Sequence, residues 1–188
     1  MRDAHEACND FTALTSVGKD DSKMKHLFSP WRSVYIQSFQ GGKKSKGCLF
    51  CRIAKEHDDE KNLIVWRGKN CFVVMNKYPY NNGHVMVVPY MHTSLIGKLT
   101  DKTNHEVMKM TARCVQALHK NSKPDGFNFG ANIGRAAGAG IDKHIHFHLV
   151  PRWNGDTNFM PVLAELKIIS EDVRKTWTLL KSELKKIK

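Results

Sequence analysis

Three histidines alternate with apolar residues in His144-Ile145-His146-Phe147-His148-Leu149, and Val150, Pro151 and Arg152 follow. This run limits the folds open to the chain more than any other. Successive side chains of a strand point to opposite faces, so an extended backbone sends the imidazoles to one face and Ile145, Phe147 and Leu149 to the other. Like-facing residues stand about 6.6 Å apart at a rise of ~3.3 Å per residue. A row of that kind can reach along a bound polyphosphate. Histidine fills a sheet face poorly, and buried imidazoles without partners cost free energy, so three in alternation imply a shared purpose.

Other strand-like segments surround the run. Residues 63–67, 71–76 and 84–89 are rich in Val and are separated by Gly68 and the turn signal Asn81-Asn82-Gly83, which predicts an antiparallel meander. Residues 127–133 and 145–150 read as two more strands, split by the small-residue stretch 134–140 and stopped by Pro151. Between the two groups, Val107, Met110, Cys114 and Leu118 form one helical stripe within 101–121, with Lys102, Lys109 and Lys120 left largely to solvent. A last helix is predicted over 170–187, with Ser170 as its N-cap and Val173, Trp177, Leu180, Leu184 and Ile187 on its apolar face. Strands grouped with flanking helices predict an α+β fold: an antiparallel sheet of about five strands, a covering helix and a C-terminal helix.

At 188 residues with 41% apolar and 26% charged side chains, the chain fits a single domain over 24–188, preceded by a tail at 1–23. Met24 is a second candidate start, and residues 40–46 read as a linker. Lys and Arg number 30 against 18 Asp and Glu, so a formal charge of +12 favours anionic ligands. The longest apolar runs are far short of the ~20 residues of a membrane span, and the first residues lack the apolar core of a signal peptide. Five cysteines, two of them as Cys48-x-x-Cys51, argue for reduced thiols and a cytoplasmic protein.

The residues alone leave the chemistry open between two enzymes. Strand residues at i and i+2 can share a catalytic metal ion, although no His-Glu-x-x-His helix or carboxylate cluster accompanies them. An imidazole can instead attack phosphorus and divide one displacement into two easier ones, with no metal. Cys48 and Cys51 have three readings: packed thiols beside Phe50, a redox pair lacking a thioredoxin-like setting, or half of a structural zinc site.

The His-φ-His-φ-His pattern resembles the histidine triad superfamily of nucleotidyl hydrolases and transferases. The resemblance extends to Asn76-Lys-Tyr-Pro-Tyr80-Asn-Asn-Gly-His84, which is similar to the strand and turn before a fourth active-site histidine. Ser29-Pro-Trp31, Cys48-Leu-Phe-Cys51 and Pro151-Arg-Trp-Asn-Gly-Asp156 look most like the branch of diadenosine tetraphosphate phosphorylases and related hydrolases, and the matched motifs run in order from about residue 27 to 162. The resemblance implies a HIT-like fold, His146 as nucleophile, and His148 and His84 as partners at the phosphate or the leaving oxygen. It implies nucleotide contacts at Asn76 for ribose, Asn132 for phosphate, and Phe50 and Ile53 for the base. The backbone of Gly138, Ala139 and Gly140 would approach phosphate oxygens, as small residues allow. In zinc-containing members and in galactose-1-phosphate uridylyltransferases, a Cys-x-x-Cys pair joins two histidines, which match His92 and His144 here. His144 would then be structural, with no organic cofactor implied and a homodimer expected.

The expected function is cleavage of a nucleoside polyphosphate at the α-phosphorus through a nucleotidyl-His146 intermediate, a dinucleoside polyphosphate being the favoured substrate. Water, phosphate or another acceptor would make the enzyme a hydrolase, phosphorylase or transferase. The rivals are a non-catalytic nucleotide or nucleic-acid binding module and a metal-assisted hydrolase. No aromatic-and-basic strand of an RNA reader is present, which argues against nucleic acid, and nothing argues for a membrane partner.

Overall fold

The structure, a computed structural model, describes residues 47–157 and 172–187. The tail, the linker, the Ser29-Pro-Trp31 motif and Ser170 lie outside the described residues.

The predicted meander forms. Strands β1 (Ile64–Arg67), β2 (Cys71–Met75) and β3 (Val85–Pro89) pair antiparallel in sequence, and β5 (Phe147–Arg152) lies between β3 and β4 (Gly126–Gly130), giving the order β1-β2-β3-β5-β4. Gly83 turns the chain into β3 with φ +73°, a left-handed value that a side chain resists, and a Cβ there would meet Leu118 at 3.0 Å and Pro151 at 3.2 Å.

Helix α1 (Leu49–Lys55) precedes the sheet, α2 (Asp101–Ser122) connects β3 to β4, and α3 (Val173–Lys186) follows it. Thr100 caps α2 by accepting the Thr103 N–H, and the helix buries Val107, Met110, Cys114 and Leu118 as the stripe requires. Its Lys120 is not wholly given to solvent: Nζ donates to buried Glu183 of α3 at 2.8 Å. The cap of α3 is Asp172 rather than Ser170, its carboxylate accepting the Arg174 N–H at 2.7 Å.

Alternation divides the core. Val73, Val85, Val87, Ile145, Phe147 and Leu149 face the two long helices, together with Met110, Leu118 and Leu180. On the opposite face Phe72, Val74, Met86 and Val88 pack beneath Phe50 and Ile53 of α1. Opposite Met86 in register is His148, so the imidazoles lie on the α1 side. Among the described residues, the helix packed on that face is the short α1.

Two predicted strands shift. β4 ends at Gly130 rather than residue 133, and β5 begins at Phe147 rather than residue 145. For β5 the Ile145 N–H is taken out of the ladder by a long-range bond, donating to the Thr93 carbonyl at 2.7 Å. The seven-residue α1 was not expected; Arg67 closes its C-terminal end, donating to the carbonyls of Ala54 and Glu56 at 2.6 Å each and of Ile53 at 3.2 Å.

Candidate active site

The Thr93–Ile145 bond sets His144 beside His92, and the first turn of α1 brings Cys48 and Cys51 to the same place. The Nδ1 of His144 lies 3.3 Å from Cys48 Sγ, 3.5 Å from Cys51 Sγ and 3.3 Å from His92 Nδ1. All four donor atoms fall within 4.8 Å of one another, and the four can hold a metal ion. Two sulfurs and two imidazole nitrogens suit a soft or borderline cation in tetrahedral coordination. His144 is prepared for this role. Its Nε2–H donates to the Pro89 carbonyl at 2.8 Å, which turns the Nδ1 lone pair toward the cluster. Burial pushes the His144 imidazole below its ordinary pKa and so favours the neutral, ligating form.

His146 uses its nitrogens the other way round. The Nδ1–H donates to the His144 carbonyl at 2.9 Å, so the lone pair belongs to Nε2. The ring is 5% exposed and stands 5.0 Å, between centroids, from Phe50. Burial lowers its pKa against the opposing pull of the carbonyl, which favours the neutral ring with Nε2 unprotonated.

His84 and His148 form a directed pair. The backbone N–H of Tyr80 donates to His84 Nδ1 at 3.0 Å, and the Asn76 amide nitrogen approaches the same atom at 3.3 Å. A nitrogen that accepts cannot carry the proton, so the proton of His84 sits on Nε2 and is donated to His148 Nδ1 at 2.9 Å. By the same rule the proton of His148 sits on its Nε2. The His146 and His148 ring centroids are 4.9 Å apart, and Tyr80 lies over the pair, 4.7 Å from His84 and stacked 5.6 Å from His148.

The three triad histidines therefore do not form one row. His146 and His148 share the working face with His84, and His144 is drawn into the sulfur cluster. Phe50 and Ile53, expected at the base, lie buried in the smaller apolar cluster, where Phe50 touches both His144 and His146. The Asn76 side chain is engaged at both ends, its oxygen accepting the Tyr78 N–H at 2.9 Å. Asn132 is half-buried beside the exposed glycine loop. In that loop the Gly138 N–H donates to the Arg135 carbonyl and the Ala139 N–H to the Gly134 carbonyl, so a phosphate would exchange these internal bonds for its own. Sequence reasoning missed Tyr80, whose amide fixes a tautomer, and Arg67, which seats the helix bearing Cys51. Neither role leaves a compositional signal.

Burial of His148 makes stability depend on pH. Burial, and then the nearby His146, lower His148 to about 4 from an ordinary 6.5. Between those values the unfolded imidazole binds a proton that the folded one does not, so stability falls as pH drops from about 6.5 toward 4. Denaturant unfolding at pH 7 and 4.5 is expected to show a decline that is smaller by roughly 2 kcal/mol in His148→Gln than in the wild type. An identical decline in both proteins would remove His148 as the cause.

An antiparallel five-stranded sheet that gathers His84, His146 and His148 on one face fits the class that the sequence match shows: the chain belongs to the HIT domain family, whose pattern it matches over residues 58–155. Among its relatives is the AP-4-A phosphorylase of Mycobacterium tuberculosis, 38% identical over 172 residues that cover 89% of this chain and 87% of the relative. An adenosine 5'-monophosphoramidase of Saccharomyces cerevisiae is 29% identical over 105 residues, covering 56% of this chain and 62% of that protein. The crystal structure of a Zn-bound histidine triad family protein from Mycobacterium smegmatis superposes with a TM-score of 0.61 at 26% identity, covering 75% of this chain and 95% of that one.

Proposed function

We propose that this chain is a nucleotidyl hydrolase or transferase that cleaves a dinucleoside polyphosphate at the α-phosphorus through a covalent nucleotidyl-His146 intermediate. The observation that carries the reading is the bond from His146 Nδ1–H to the His144 carbonyl, which places the lone pair on Nε2, where it is available for attack. As Nε2 bonds to phosphorus, the P–O bond to the leaving group breaks and its electron pair stays on oxygen. The positive charge left on the imidazole rests on Nδ1–H against the carbonyl. The Nε2–H of His148 donates a hydrogen bond to the leaving oxygen as charge builds there. An acceptor oxygen then attacks the same phosphorus and frees His146. Asn132 and the backbone of Gly138, Ala139 and Gly140 are proposed for the phosphates, Asn76 for ribose, and Phe50 and Ile53 for the base.

Cys48, Cys51, His92 and His144 would hold zinc, and the ion would supply a structural cross-link between α1 and the segment leading into β5. Four protein ligands leave no position for a water, which argues against metal-assisted hydrolysis. The Zn-bound M. smegmatis structure supports this reading.

The similarity to an AP-4-A phosphorylase favours inorganic phosphate as acceptor. Incubation with diadenosine tetraphosphate and phosphate is expected to yield ADP and ATP by mass spectrometry, with AMP and ATP arising if water replaces phosphate. No turnover under either condition would sink the proposal. Edge strand β4 exposes Phe129 and pairs only with β5 among the described residues, which supports a homodimer joined along this edge. No helix among the described residues is long and apolar enough to cross a membrane, and a Cys-x-x-Cys pair kept reduced to hold zinc fits the proposed cytoplasmic location.

A further inference from the structure

The proton on His148 Nε2 depends on a chain of bonds that includes the Tyr80 amide, and the residue after that amide, Asn81, ties the turn to the end of β5. Asn81 is 6% exposed, and its Nδ2 donates to Asp156 Oδ2 at 2.7 Å and to the Pro151 carbonyl at 3.1 Å. Its own carbonyl accepts the His84 N–H at 3.2 Å, so Asn81 is bonded to both the strand end and the histidine.

Asp156 is held just as closely. Arg152 donates to it through Nε at 2.6 Å and Nη2 at 2.7 Å, and the Trp153 N–H and Thr157 hydroxyl donate at 3.1 and 3.0 Å. These bonds, the one from Arg152 foremost, keep the carboxyl well below the usual carboxylate range and therefore ionised. Arg152 ends β5, the strand that carries His148. The turn that orients His84 is thus fastened to the strand that carries the partner of His84.

We infer that Asn81 and Asp156 are positioning residues whose mutual bond holds the Tyr80 amide on His84 Nδ1 and thereby keeps the proton of His148 on Nε2, facing the leaving oxygen. The inference rests on the proposed reading of the site and extends it to two residues bonded to the turn and the strand end. If the turn drifts, His84 Nδ1 loses the shorter of its two approaches, the Tyr80 amide at 3.0 Å, and keeps the Asn76 amide nitrogen at 3.3 Å, so the tautomer with its proton on Nε2 is held less firmly. His84 then stops donating to His148, whose proton can move to Nδ1, away from the substrate. The attack by His146 is unaltered, because its own tautomer is set by the His144 carbonyl.

A defect confined to the leaving group separates this role from general loosening. First-turnover release of phenol from the phenyl ester of AMP depends on stabilising a basic oxygen, whereas release of nitrophenol does not. In Asn81→Ser, phenol release is expected to fall about 100-fold and nitrophenol release by less than about threefold, with the same trend at smaller size in the isosteric Asp156→Asn. Nitrogen-15 spectra of histidine-labelled wild type are expected to place the proton on Nε2 in both His84 and His148. Equal losses on the two esters, unchanged rates in both variants, or a wild-type His148 protonated on Nδ1 would each overturn the inference. A wild type that releases neither phenol overturns the underlying reading of the site as well.

Discussion

His146→Ala is expected to lower turnover by about four orders of magnitude or more while nucleotide affinity stays within a few-fold of wild type, measured by single-turnover kinetics and by equilibrium binding. The size follows from what the substitution removes. Without Nε2 there is no covalent route, and the remaining groups offer only placement and hydrogen bonding. His148→Gln, which keeps the nucleophile, is expected to lose only about 100-fold, the ordinary worth of one positioned proton donor. The ordering is the informative part. If His146 is the nucleophile as proposed, its loss must cost far more than that of its neighbour, although their ring centroids stand 4.9 Å apart. The folded state should tolerate the alanine: the cavity beside Phe50 costs on the order of 1–3 kcal/mol and leaves the helical side of the core untouched. Acid quenching of wild type in mid-reaction with labelled substrate should trap label on His146. Turnover near wild type in the alanine variant, or label on another residue, would sink the assignment.

The fold could be read from the chain wherever periodicity was long enough to count. The stripe at Val107, Met110, Cys114 and Leu118 and the alternation through Ile145, Phe147 and Leu149 give the packing faces that the structure shows. Element ends were less legible because distant partners set them. β5 starts late since Thr93, 52 positions earlier, takes the Ile145 amide. Ser170 and Asp172 are both capping types, and local sequence does not choose between them. Helix α1 spans about two turns, too few for a period, and its end is closed by Arg67 from another element. The site divides likewise. The working histidines and the sulfur ligands are residue types with spacings, so sequence could nominate them. Their proton positions come from the carbonyls of Pro89 and His144 and the amide of Tyr80, backbone atoms that every residue possesses.

Loss of one sulfur ligand is expected to have the largest effect on the folded state. Cys48, Cys51, His92 and His144 are drawn from the start of α1, the loop after β3 and the segment before β5, so an ion among them would close loops of 41 and 52 residues. With no ion, burial and the adjacent Cys48 thiol push the Cys51 thiol up, an arrangement that a cation reverses by taking both sulfurs as thiolates. Protein purified without chelator is expected to contain about one zinc per chain by elemental analysis, and Cys48→Ser to contain little. Because a ligand that binds only the folded state stabilises it by mass action, the variant should lose about 3 kcal/mol or more, a fall of roughly 10 °C in melting temperature. Chelation of the wild type should reproduce the shift and zinc readdition should reverse it, whereas neither treatment should move the melting temperature of Cys48→Ser. Such a cross-link would act on chemistry through position, since the His144 carbonyl that accepts the His146 Nδ1–H belongs to the residue whose ring would hold the ion. Reactivity of the residual folded Cys48→Ser protein toward an activated adenylyl ester should therefore fall far less than in His146→Ala. Metal-free wild type that melts where the zinc-loaded protein melts would show that the four donors meet for another reason.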